Sequence, residues 1–208
     1  KYIKDSIQSV LNQDYRNWEL IFWDNKSTDK SKKIFKQFRD KRLKYYCAKK
    51  FSNLYKARNL AIKKARGKIL TFLDVDDIWL SKKLSTQISF FKKNKSAELV
   101  YSNYLDLKNF FGFQTESIHF KKILPSGFIL DKLLNFYCIG WATVAIKKNI
   151  FKKKKFNEKL DMVSDFDFMI NFSANKKIFS IQETLAKYRQ HPNQLSKNKF
   201  FVQVEQYL

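Results

Sequence analysis

A chain of 208 residues with 44% apolar content is long enough to bury one substantial core and falls short of what two independent domains usually need. Its 42 Lys and Arg against 19 Asp and Glu leave a net charge of +23, which favours polyanionic or membrane-surface partners. Only 6 of those 42 are Arg and no helix-turn-helix, RNP or zinc-finger pattern accompanies them, so nucleic acid is set aside and peripheral contact with an anionic membrane surface is retained.

Residues 3–11 place Ile3, Ile7, Val10 and Leu11 on one helical stripe, and the apolar run 18–23, ending at Asp24, reads as a buried strand. Ser27-Thr28-Asp29 is a polar turn able to cap a helix over about 30–38, and a short strand follows at 43–46. Leu54, Ala57, Ala61 and Ala65 share a helical face, Gly67 ends that helix, and 69–73 is an unbroken apolar run closing on Asp74. Such alternation predicts an α/β fold, a mixed and mostly parallel central sheet flanked by helices. A helix is predicted over 80–94 and a strand over 99–105, after which the pattern loosens across 108–125. Beyond it, a helix at 128–135, a strand at 143–147, a helix at 165–174 and strands near 178–182 and 185–188 form a less regular half on the same sheet. The longest nearly uncharged apolar stretch, 136–146, is well below the roughly 20 residues that span a bilayer. Cys47 and Cys138 stand alone, without the spacing of a disulfide framework or zinc site. The expected setting is cytoplasmic, peripheral on the inner face of the plasma membrane.

The sharpest chemical signal is Asp74-Val75-Asp76-Asp77 at the C-terminal end of an apolar strand, where open α/β sheets place their ligands. Three carboxylates in four residues repel one another, and a hard divalent cation, Mg²⁺ or Mn²⁺, shared with diphosphate oxygens is their natural partner. The plainer alternative is a helix entry capped by acids. A third reading likens the tetrad to the nucleophile motif of haloacid-dehalogenase-like phosphatases, with Asp74 phosphorylated, although no Gly-Asp motif follows downstream. Asp24 and Asn25 end an earlier strand at the same sheet edge, where polar groups can hydrogen-bond a ribose and a base. Asp165 and Asp167 open a late helix, and His191 follows the last predicted strand.

Several of these pieces occur together in one order: Ser6 to Tyr15, Trp18-Glu19-Leu20-Ile21, Asp24 to Asp29, Ala57-Arg58-Asn59-Leu60-Ala61, Phe72 to Asp77, Ser164-Asp165-Phe166-Asp167, and Tyr188-Arg189-Gln190-His191. In that order they resemble the family-2 glycosyltransferases, inverting enzymes of the GT-A fold. The resemblance implies that Asp24 and Asn25 hold the nucleotide base and ribose, with Arg58 over the same pocket. It makes Asp74 and Asp76 the metal and ribose carboxylates, with Asp77 beside them and His191 near the metal and diphosphate, and it makes Asp165 the general base. Trp141 is expected among the substrate-binding residues, where with Phe166 and Phe168 it would desolvate Asp165.

The implied partners are a nucleotide-sugar donor, most simply a UDP-sugar, and a glycan or lipid-linked acceptor. A nucleotide-sugar-binding half over 1–107, an acceptor-binding half over 108–196 and the start of a C-terminal helix at 197–208 are expected. The sequence departs from the family at Asn25 and Ser164, each where an acid is usual. Relatives open with a strand and a Tyr-Asn turn that line the base pocket, so the first strand is expected to be missing here, with weak donor binding as the consequence. A phosphatase, or a non-catalytic basic module binding membrane or nucleic acid, remains the alternative.

Overall fold

The computed structural model of the chain describes residues 2–110, 113–192 and 194. The expected helix at 197–208 lies outside the described residues. In chain order the elements are α1 (Ile3–Leu11), β1 (Leu20–Asp24), α2 (Ser31–Phe35), β2 (Leu43–Cys47), α3 (Leu54–Lys64), β3 (Ile69–Thr71), β4 (Ile78–Trp79) and α4 (Lys83–Lys93). They continue as β5 (Leu99–Phe110), β6 (Phe113–Ile118), α5 (Leu130–Asn135), β7 (Ala145–Lys147), α6 (Ser164–Ser173) and β8 (Phe179–Gln190).

The strands form a parallel pair, β1 with β2, and a larger sheet in the order β3-β7-β5-β8-β4 with β6 added to β5. The sheet is mixed, as expected, but less parallel than the alternation implied. Only β1 with β2 and β5 with β8 run parallel among the described pairings; β3–β7, β4–β8, β5–β6 and β5–β7 are antiparallel. Parallel neighbours need a crossover helix, which the first half supplies; the second half returns through loops and reverses direction. The boundary expected at residue 107 falls inside β5, so both halves share that strand.

Two local expectations change for a physical reason. The stretch 113–118, read as irregular, is a strand whose side chains are all exposed, so no apolar alternation marks it. The two strands expected near 178–182 and 185–188 are one: Ser102 pairs with Ile181 and Asn103 with Thr184, leaving Gln182 and Glu183 bulged and exposed.

The main core lies between α3, α6 and the large sheet and is rich in rings. Trp141 meets Phe72 at 5.0 Å and Phe156 at 5.1 Å edge-on, and Phe151 stacks on Phe168 at 5.2 Å. A second cluster joins Ile3 and Ile7 of α1 to Phe35 of α2 and the inner face of β1 and β2. Lys83 is fully buried, with Nζ 2.6 Å from Thr71 Oγ1 and 2.8 Å from Gln87 Oε1, and burial drives its pKa well down. Among the described residues, no helix is long and apolar enough to cross a membrane.

Candidate active site

Helix α1 fixes the acidic loop through polar side chains on its buried face. Ser9 Oγ accepts from Trp79 N at 3.1 Å, while Gln13 donates to the Leu80 carbonyl at 2.8 Å and accepts from Leu84 N at 3.0 Å. Asp14 N donates to the Ser81 carbonyl at 3.0 Å. The Ser6–Tyr15 motif is therefore a clamp that sets where the chain goes after the acids. Glu19 does similar work one strand over, accepting from Arg66 N and Gly67 N ahead of β3.

The three acids of the loop point to three different partners. Asp74 receives both contacts of the Arg58 guanidinium, at 2.7 and 2.9 Å. Asp76 Oδ2 lies 2.9 Å from His191 Nε2. Asp77, 3% exposed, accepts from Arg189 N at 3.0 Å; burial first, then repulsion from Asp74 and Asp76, lifts its carboxyl well above the usual range. Arg189 in turn donates to the Asp76 carbonyl at 2.9 Å and to Asp5 at 3.0 Å, tying the loop to β8 and α1.

Asp165 opens α6, where a carboxylate in the first turn is favoured by the helix dipole. Its Oδ1 accepts from Phe166 N at 2.9 Å and lies 3.0 Å from the Tyr55 hydroxyl, which is also 2.7 Å from the Met162 carbonyl. Burial pushes the Asp165 carboxyl above the usual carboxylate range, against the pull of the Arg58 charge and these hydrogen bonds. Burial also works against the Arg58 charge, but Asp74 and Asp165 outweigh it and hold its pKa high. Asp167 turns back onto Asn171 Nδ2 at 2.8 Å and serves its own helix. Close to Asp165, three buried polar atoms have no hydrogen-bond partner: Tyr137 Oη, Trp141 Nε1 and Ser164 Oγ.

Asp24 and Asn25 are more committed to the protein than the sequence analysis expected. Asp24 Oδ1 accepts from Ser27 N at 2.7 Å and Oδ2 from the Tyr45 hydroxyl. Burial raises its carboxyl, yet those bonds prevail and leave its pKa below the ordinary value. Asn25 donates to the Ser52 carbonyl at 2.5 Å and accepts from Ser52 N and Oγ, bracing the loop after β2. Between them and Ser27, Lys26 adopts a left-handed φ of 67°, the bend of the turn.

One cavity of about 1450 Å³ brings most of the expected residues together: Asn25, Arg58, Asp74, Asp76, Asp77, Trp141 and Asp165 all line it. Asp24 does not, and His191 reaches it through Asp76. The cavity extends between β1 and β3, whose facing residues Leu20 to Trp23 and Ile69 to Leu73 form its walls. As to a metal, Asp76 at the cavity, with His191 2.9 Å behind it, suits a hard cation that completes its shell with phosphate oxygens. Among the described residues, no group of three His, Cys, Asp or Glu side chains is gathered to hold an ion by itself. Asp74, expected as a third ligand, is turned to Arg58 instead, because one charged guanidinium nitrogen donates to both of its oxygens.

Tyr55, Tyr137 and Arg189 line or brace this site and were given no role by the sequence. Tyr55 and Tyr137 belong to no motif in the sequence, and Arg189 carries no role of its own beside His191; the nearness of Tyr55 to Ala57-Arg58 and of Arg189 to His191 was the available signal.

The glycosyl transferase family 2 model matches residues 1–179. A UDP-Glc:alpha-D-GlcNAc-diphosphoundecaprenol beta-1,3-glucosyltransferase of Escherichia coli, WfgD, is 33% identical over 200 residues, covering 95% of this chain and 76% of that protein. A putative teichuronic acid biosynthesis glycosyltransferase of Bacillus subtilis, TuaG, is 29% identical over 205 residues, covering 96% and 78%. Among solved structures, S. aureus TarS 1-349 in complex with UDP superposes with a TM-score of 0.70 at 22% identity, covering 98% of this chain and 61% of that one. The likeness to TarS concerns the fold, which is the GT-A fold, and this chain spans less than two thirds of that structure. With the family model matching most of its length, the chain belongs to glycosyl transferase family 2.

Proposed function

We propose that this chain transfers a sugar from a UDP-sugar to a hydroxyl of a lipid-linked or growing surface glycan, with inversion at C1. The observation that carries the reading is the shared cavity, lined both by Asp76, which His191 backs at 2.9 Å, and by the half-buried Asp165. The E. coli relative, named for a UDP-Glc donor and a diphosphoundecaprenol acceptor, supports both substrate classes. A phosphatase using Asp74 as nucleophile is displaced by the family assignment, and Asp74 is already engaged by Arg58.

Asp76 and His191 would hold a divalent cation, Mg²⁺ or Mn²⁺, which supplies positive charge to the departing diphosphate. Arg58 orients Asp74 and places a fixed positive charge between Asp74 and Asp165. Asp165 takes the proton from the attacking hydroxyl; with Oδ1 already accepting from Phe166 N, Oδ2 is the oxygen that receives it. A carboxyl pushed up by burial is the stronger base for that step. With Mn²⁺ and UDP-sugars, Asp165→Asn is expected to lose transfer by about 10²–10⁴-fold while UDP binding persists; turnover surviving in that variant would remove Asp165 from the mechanism.

A further inference from the structure

Large apolar side chains that stand in water concentrate in one part of this protein. Of eight that are more than half exposed among the described residues, six lie within 113–136. Ile123 is 86% exposed, and Phe128, Leu134 and Phe136 project from either end of α5. Helix α5 rises only about 9 Å and turns Ile129 and Leu133 into the core, so the exposed side chains stand on its outer side. Phe136 packs on Phe120 at 5.6 Å, which joins the 118–123 stretch to the same patch.

Lysines frame the patch. Lys121 and Lys122 precede Ile123 directly, and Lys177 Nζ lies 5.4 Å from the centre of the Phe128 ring. Glu116 pairs with Lys187 at 2.5 Å and Asp106 is hydrogen-bonded to His119 at 2.7 Å, while Asp131, the exposed acid of α5, is outnumbered by the exposed Lys121, Lys122, Lys132 and Lys177. Apolar tips ringed by free ammonium groups match the headgroup region of an anionic bilayer, where the apolar ends enter the acyl boundary and the lysines meet lipid phosphate. A second copy of the chain would set lysines against lysines, and the most exposed tip, Ile123, is aliphatic and suits acyl chains, while Lys177 lies over the Phe128 ring and Phe120 packs on Phe136.

The patch also borders the site. Tyr137 follows Phe136 and packs edge-on against Phe166 at 5.2 Å, next to Asp165. We infer that the 118–136 surface docks on an anionic phospholipid bilayer and sets the Asp165 side of the cavity at headgroup level. The docking is argued from the surface itself; its use in delivering a lipid-linked acceptor rests on the transferase reading.

The test is co-sedimentation of the full chain with phosphatidylcholine vesicles with and without about 30% phosphatidylglycerol, at salt of about 0.1 and 0.5 M. Binding should need the anionic lipid and should fall by about tenfold or more in Ile123→Ser/Phe128→Ser and in Lys121→Glu/Lys122→Glu, with unchanged thermal melts. The lysine pair is fully surface-borne, so it reads the surface even if the apolar pair disturbs folding. Wild-type binding to both lysine and apolar variants, equal binding to neutral vesicles, or retention by a single-stranded RNA in place of vesicles overturns the inference. Transfer activity plays no part in this readout, so failure of the transferase reading would leave it standing.

Discussion

Tyr55→Phe isolates one hydroxyl at the centre of the proposed chemistry. The ring is 1% exposed and packs on Phe156 at 5.6 Å, so Phe keeps the shape of the core. What disappears is the donor shared by Asp165 Oδ1 and the Met162 carbonyl, at 3.0 and 2.7 Å. Leaving a half-buried carboxylate short of a donor costs about 2 kcal/mol, or roughly 4–8 °C in Tm for a chain of this size. Because the Tyr55 hydrogen bond lowers the Asp165 pKa, its loss lets burial push the carboxyl higher still. The acid limb of the pH–rate profile should therefore move to higher pH, while the plateau changes by less than about tenfold, since Tyr55 touches Asp165 and not the reacting hydroxyl. Differential scanning fluorimetry and transfer rates across pH measure both effects. A Tm within about 1 °C of wild type together with an unmoved limb would refute the role given to Tyr55.

Asp165→Asn should be more stable than wild type at neutral pH. Burial holds the folded carboxyl above its unfolded value of 3.8, so wild type loses stability as pH rises through the folded pKa, and the two proteins should converge in acid. A Tm difference that does not vary with pH would contradict this. Gln13→Ala removes a side chain that is 0% exposed, with its bonds to Leu80 and Leu84, and should cost about 2–4 kcal/mol in urea unfolding and weaken UDP binding as the acidic loop loosens. A cost below about 1 kcal/mol would mean that α1 does not set that loop. His191→Gln should raise the Mn²⁺ concentration needed for half-maximal transfer by roughly tenfold, and an unchanged requirement would take His191 out of the cation site.

The sequence by itself determined the elements that bury one face and the order of the motifs. Ile3, Ile7 and Val10 mark α1, the apolar runs before Asp24 and Asp74 mark β1 and β3, and each acid follows the end of such a run, although β1 and β3 belong to separate sheets. Periodicity reports whether an element buries a face of its own, which is why the exposed β6 and the two-residue β4 left no trace in it. Which acid does what was decided elsewhere. Asp77 meets Arg189, Asp76 meets His191 and Tyr55 meets Asp165 across 110 or more residues, and Asp24 is engaged by Tyr45 of the next strand. Charge and type made each of these carboxylates eligible for a ligand. Only packing, by the donors it brings to each and by leaving Asp165 half-buried at the cavity wall, settled which are braced inside the protein and which also face the cavity.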